Sequence, residues 1–508
     1  MTKTLLSLLL LSASLASDAN QAGLYPPWLE TTSCPFERPL PTTIPETLVS
    51  IKYYPPEAYN RNLCKSIKPV VSVSQAEQSA DLLLKREQQL NYLTWQYDVF
   101  SWAAFIAVNR AVDKEFVITD ENLKSAQTPV WLNWRTTESV FLEDGSAPKE
   151  WLFTENKQYN PAVSSIHQVV DHQFNAATDG VLIDQQDNPV YYQKYMNPVA
   201  FNFIKTNELY NLDGQITYAS SHGEVSFAQG SFLLCNGKSN ATGAPSIPCT
   251  PATNMRDIDS NDPSGPVELK IAWKVLTDAD DVSRYIHVNT DVLITDDNAS
   301  KVVQKKLGVV GFHLAQKTTS SPKWVFSTFT HLDNVLTEPS SEQSPSFFDP
   351  QCPECAVNVA NGGSSKTQVK LMDPINPITQ TINQQVQAKL AVEGSVLQFY
   401  QLVGTQFTTD FSAAEQIQLP GKIVNYSGYG PYPVFLTNEV IETFLQLGNV
   451  KTDNRTYYQS SSCMNCHAKG AIATGYKQQG MQKKVIWGHN NGDMSFNFYD
   501  AHWKKEGH

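Results

Sequence analysis

The chain has 508 residues, 41% of them apolar and 17% charged, so it is globular in composition and long enough for one large domain or two to three ordinary ones. Its formal net charge of −12 excludes a nucleic-acid binder built on clustered Lys and Arg, and no nucleic-acid-binding module is legible.

Residues 1–16 read as a secretory signal peptide: Lys3 is the positive start, Thr4 to Leu15 the apolar stretch, and Ser14-Leu15-Ala16 the small-residue cleavage site. The stretch is too short for a membrane anchor, which needs about 20 apolar residues, and no later segment qualifies, so no transmembrane segment is expected after cleavage. The expected location is periplasmic or secreted. Losing Lys3 with residues 1–16 takes the net charge from −12 to −13.

Residues 17–73, rich in Pro and polar side chains, read as an extended arm, and residues 74–420 as an α+β body. Ser74 with Glu77 makes a capping box for one helix. Val99, Trp102, Ala103 and Ile106 form the stripe of a second, ending near Asn109. The middle is predicted strand. Val267, Leu269, Ile271, Trp273 and Val275 alternate with polar residues, Ile286–Ile294 repeats the pattern, and Val310–Leu314 and Trp324–Phe329 flank a loop over 316–323. Strands in series predict an antiparallel sheet or sandwich. Helices are expected over Thr381–Val403, interrupted near Gly394, and from Thr437 or Asn438 to Gly448. The fold class expected is α+β, a mainly antiparallel β body with several helices. Residues 421–508 would form a C-terminal haem-binding region.

Eight cysteines in an exported chain point to oxidised pairs. The sequence-local pairing is 34–64, 235–249 and 352–355, among 15 connectivities open to six cysteines. The remaining two lie in Cys463-Met464-Asn465-Cys466-His467. Two thiols three residues apart can both reach the vinyl groups on one haem edge, and the next residue then lies under the iron as the proximal ligand. One covalent haem c per chain, on Cys463, Cys466 and His467, is therefore expected. Three other chemistries compete: a plain disulfide, a four-Cys zinc site shared with Cys352 and Cys355, and a redox-active dithiol. Export disfavours the zinc site, because reduced thiolates are uncommon in an oxidising compartment. Cys352 and Cys355 are followed by Ala356, so they make no second haem motif.

For the other iron face Met494 is the leading candidate, with Met481, His489 and His502 downstream and His313 and His331 on predicted strands. His313 and His331 have an equally concrete structural role as hydrogen-bonding groups of a sheet. From Cys463 to His508 there are six Lys against three acids, a net of +3, which suits a basic rim that steers an acidic redox partner or pairs with acids of the body. Sequons at Asn240, Asn298, Asn425 and Asn454 have meaning only in a secreting eukaryote.

The chain resembles exported bacterial cytochrome c family proteins of about this size. The resemblance rests on Ser101–Asn109, Lys270–Lys274, Gly311-Phe312-His313, Trp324–Phe329 with Asp333-Asn334, and Ser462–His467. It implies a periplasmic monohaem protein with a large α+β body, and no particular reaction. The function expected is one-electron transfer with a redox partner protein. The size of the body leaves open a haem enzyme acting on a small-molecule substrate, or a haem-based sensor.

Overall fold

The computed structural model describes residues 40–45, 48, 80–112, 122–149, 166–167, 181–227, 265–296, 299–317, 323–335, 345–360, 365–408, 417–419, 422–424, 431–433, 435–446, 450–452, 455–457 and 462–505. The signal peptide, most of the arm, the four sequons and Cys34, Cys64, Cys235 and Cys249 lie outside them.

The first helix, α1 (Ala80–Val108), runs unbroken where two helices are expected. No Gly or Pro interrupts it, and from Leu93 onward it is buried almost all round rather than along one stripe. It ends at Asn109, whose side-chain amide donates to the Phe105 carbonyl at 2.9 Å. Beside it lies α4 (Pro377–Val392), joined through Trp102 Nε1 donating to Asn383 Oδ1 at 2.8 Å. Two further helices are capped by asparagines: α2 (Pro198–Thr206) by Asn197 and α3 (Leu212–His222) by Asn211.

Six strands make most of a nine-stranded sheet: β1 (Tyr191–Met196), β2 (Val267–Val275), β3 (His287–Asp296), β4 (Ala299–Gln316), β5 (Val325–His331) and β6 (Tyr400–Thr408). The order is β6-β5-β4-β2-β1, antiparallel throughout, with β3 on the first half of the long β4. Among the described strands of this sheet, the short Ile166–His167 strand is the one that pairs in parallel, with β3. Apart from short two-stranded ribbons, the described strands form this one sheet, with α1 on one face and the C-terminal segment on the other, so the body is α+β and not a sandwich. Residues 400–403, expected to be helical, belong to β6; Gly394 ends α4 with φ +61°, and Tyr400 to Thr408 pairs with β5 instead.

Strand alternation divides the side chains between two faces. One face, with Phe312, Phe329, Ser327 and Thr405, meets α1: Phe105 stacks on Phe329 at 4.0 Å and meets Phe312 edge-on at 5.1 Å, and Ser101 Oγ hydrogen-bonds Ser327 and Thr405. The opposite face carries the cross-strand row Lys194, Lys270, His313 and Thr328. Beside it runs the row Glu268, Ala315, Phe326 and Gln406. The C-terminal segment packs here, and Met464, Ile472, Met494 and Phe498 belong to the same apolar core as α1 and the sheet.

The segment from Thr437 is not the expected α-helix. It is a run of turns with a 3-10 turn at Thr443–Leu445, because its polar groups bond to the sheet. Asn438 Nδ2 donates to Thr328 Oγ1 and to the Phe329 carbonyl, both at 2.9 Å, and Thr330 bonds Glu439. Gly311 lets it approach: a Cβ there would lie 2.8 Å from Val440 Cγ2. Cys352 and Cys355 form the disulfide expected from their spacing. Of the arm, Ile44 and Leu48 are buried in the core, and Ile44 N–H donates to Gln385 of α4 at 2.8 Å. Among the described residues no helix is long and apolar enough to cross a membrane.

Candidate haem-binding site

Cys463-Met464-Asn465-Cys466-His467 is one short helix, α5 (Cys463–His467), with Ser462 as its N-cap. At 3.6 residues per turn, positions i, i+3 and i+4 share a face, so both sulfurs and the imidazole emerge on one side. The sheet holds the start of this helix. Buried Gln406 of β6 accepts from Met464 N–H at 2.7 Å, satisfying a first-turn donor with no partner in the helix, and also bonds Ser462 and the Pro433 carbonyl. Cys463 Sγ donates to the Leu436 carbonyl at 3.4 Å.

The imidazole of His467 sits between Phe326 of β5 and Phe496, with ring centroids at 4.7 and 4.8 Å. Its Nδ1 lies 2.8 Å from the Met494 carbonyl oxygen. A carbonyl only accepts, so Nδ1 carries the proton and the neutral ring keeps its lone pair on Nε2. Burial pulls the pKa down to about 4; the Met494 carbonyl opposes this, and the charges of His313 and Lys270 reinforce it. The ring is therefore neutral, the form a metal requires.

The carbonyl is held in place by a tight loop. Asn490, Asp493 and Met494 have φ of 55°, 48° and 66°, a left-handed conformation that costs a non-glycine residue about 1–3 kcal/mol. Two close approaches hold it. A Cβ on Gly492 would lie 2.6 Å from Ala471 N, and one on Gly470 2.7 Å from the Ser495 carbonyl oxygen. Asp493 is tied by Phe227 N–H at 2.8 Å and by the Lys317 ammonium.

His313 lies on the sheet face that carries the motif, and its Nε2 is 3.2 Å from Glu442 Oε2. Burial would raise the Glu442 carboxyl; His313, Lys270 and the Asn438 N–H outweigh it and hold the group below the usual range. Burial, Glu442 and Cys466 push the Cys463 thiol well up. Farther along this face, burial raises the Glu268 carboxyl to about 7, against the hydrogen bonds it takes from Ser495 and Asn497.

The expected site residues thus separate. Cys463, Cys466 and His467 come together. Met494 meets His467 through its backbone carbonyl, on the Nδ1 edge of the ring. His331 is on the helix-side face, with Nε2 donating to the Arg284 carbonyl at 3.0 Å and Nδ1 accepting from Asp333 N–H, so it is structural. Met481 is fully exposed at a hairpin tip, and His489 and His502 are exposed. Phe326, Gln406, Phe496 and Glu442 were not foreseen. The alternation of β5 could have put Phe326 on this face, whereas the others depend on long-range packing.

The competing chemistries can be weighed on the same geometry. Cys463 and Cys466 are both thiols, whereas Cys352 and Cys355 are joined, which leaves no four-Cys set for zinc. A raised thiol pKa is the reverse of what an attacking dithiol needs. Two thiols and one neutral imidazole on a single helix face fit a c-type haem. No family model matches the chain, and neither a curated protein nor a solved structure does.

Proposed function

We propose that the chain is an exported monohaem c-type cytochrome, periplasmic or secreted, that transfers single electrons to or from a redox partner. The observation that carries the reading is the His467 tautomer: Nδ1–H is committed to the Met494 carbonyl, so the lone pair stays on Nε2, on a helix face shared with two thiols. Cys463 and Cys466 would hold the haem through thioethers and His467 would bind its iron. Bound there, the haem supplies a one-electron couple. The chain's own contribution is to fix the ring. Met494 sets its rotation and raises its basicity, Phe326 and Phe496 hold its faces, and Gln406 anchors the helix that carries all three groups. The resemblance to exported cytochromes agrees with this reading.

The test is an optical spectrum of protein made in a host with c-haem maturation machinery, repeated in alkaline pyridine after denaturation. Covalent haem that stays with the polypeptide supports the proposal, and its loss in Cys463→Ala/Cys466→Ala locates the attachment. A wild-type protein with no covalent haem overturns it.

A second reading, a haem enzyme acting on peroxide or a small organic molecule, is favoured by the His313–Glu442 pair. A half-buried imidazole beside a carboxylate on the motif's own side of the sheet is equipped to move a proton. Six-coordinate low-spin iron unreactive to peroxide would favour the carrier. High-spin iron whose peroxide reaction falls in His313→Leu would favour the enzyme.

A further inference from the structure

Six residues beyond His467 the chain enters a two-stranded ribbon, β7 (Ala473–Gln479) and β8 (Gln482–Trp487). Outward from its root it is exposed on both faces, with Met481 fully exposed near the turn. The register sets Lys477 directly opposite Lys484. Lys483, on the other face, lies 5.1 Å from the Tyr476 and Trp503 rings. Like charges directly opposite destabilise a strand pair, and a lone ribbon is marginal to begin with. Among the described residues no acid pairs with any of these three lysines. Residues 473–487 hold three Lys and no acid in a chain of net −12, and three of the eight exposed large apolar side chains among the described residues: Tyr476, Met481 and Ile486. A ribbon that is basic, carries an exposed Met481 beside its turn and has no described acid paired with its lysines is built for contact with something acidic.

Its root connects to the site. Trp487 packs on Tyr499 at 4.5 Å, Tyr499 neighbours Phe496 at 5.8 Å, and Phe496 packs on His467 at 4.8 Å. We infer that the β7–β8 ribbon is the docking element for an acidic protein surface, and that Phe496, Tyr499 and Trp487 are the contacts through which one electron passes between the haem and a one-electron centre in that protein. One centre is oxidised as the other is reduced, and no bond or proton moves. The docking half stands on the ribbon alone; the electron half rests on the haem reading.

The test uses the purified full chain with poly-L-glutamate as the acidic probe. Lys477→Gln/Lys483→Gln/Lys484→Gln should weaken binding by about tenfold or more, with the wild-type affinity falling steeply as salt rises. A charge-matched control, Lys306→Gln/Lys366→Gln/Lys370→Gln, should change it by less than about twofold. Equal loss in both variants, or none in the ribbon variant, overturns the docking surface. Phosphatidylserine vesicles should not bind; lysine-dependent binding to vesicles but not to poly-L-glutamate would make the ribbon a lipid contact and overturn the protein partner. For the electron half, oxidation of the reduced protein by hexacyanoferrate(III) is followed by stopped flow. Trp487→Leu should slow it without changing poly-L-glutamate binding, and an unchanged rate overturns the route. If the pyridine spectrum shows no covalent haem, the function proposed above fails while the poly-L-glutamate result still decides the docking surface.

Discussion

Gln406 is fully buried, and its amide ties β6 to the first turn of the motif helix through Met464 N–H and Ser462. Removing it strands buried donors and acceptors, each costing about 1–3 kcal/mol. Gln406→Ala should therefore lower the thermal midpoint measurably and Gln406→Glu should not rescue it, because a carboxylate cannot donate to the Pro433 carbonyl. Asp98 is a second residue whose cost is local. Burial in α1 raises its carboxyl to about 7, against the hydrogen bond from Thr379 at 2.6 Å. A carboxyl raised on folding favours the folded state most at low pH, and that contribution is lost as pH rises through the folded value. Asp98→Asn should thus gain on the wild type between about pH 4 and about pH 7, as read from paired melting curves. That Cys463, Cys466 and His467 share one helix face was legible in the sequence, because their spacing is that of one helical turn. Gln406 was not, since nothing local marks a glutamine whose partners lie 27 to 58 residues away.

The elements around the motif depend on close backbone approach. Gly492 meets Ala471 at a distance no Cβ tolerates, and Gly492 N–H donates to the Gly470 carbonyl at 2.9 Å. Gly492→Ala should push the Met494 carbonyl away from His467 Nδ1 and cost about 1–3 kcal/mol, a typical penalty for overpacking. The thermal midpoint would register the cost, and the His467 ring resonances in the haem-free protein would register the lost hydrogen bond. The strand β2 was readable because Val267, Leu269, Ile271, Trp273 and Val275 alternate with Glu268, Lys270 and Lys274. The segment after Thr437 misled because its apolar spacing is helical, yet Asn438 and Glu439 find better partners on the sheet than a helix offers.

Across the whole molecule, a buried network joins the turn at Val282–Arg284 to β5 and β6. Arg284 grips Asp333 with two nitrogens at 2.8 and 2.5 Å, Tyr285 stacks on His331 at 4.0 Å, and Tyr400 stands edge-on to His331 at 4.9 Å. Burial lowers the His331 pKa to about 4 from its unfolded value of 6.5, with Asp333 opposing. A histidine depressed on folding contributes its stability above the unfolded value and loses it as pH falls through the folded one. The wild type should therefore lose stability relative to His331→Gln between pH 6.5 and about 4, by up to about 3 kcal/mol, measured as the difference between their denaturant midpoints across that range. Asp98 and Glu268, both raised to about 7, pull the other way, so the variant comparison isolates the histidine. The amino-acid sequence by itself determined the Cys-x-x-Cys-His spacing and the antiparallel α+β class, because helix spacing and strand alternation are short-range properties. Only the tertiary structure decided that His313 faces the motif while His331 serves the core, and that Met494 meets the imidazole through its carbonyl. Those outcomes turn on strand register and on a loop packed against Gly470, set by contacts between residues far apart in the chain.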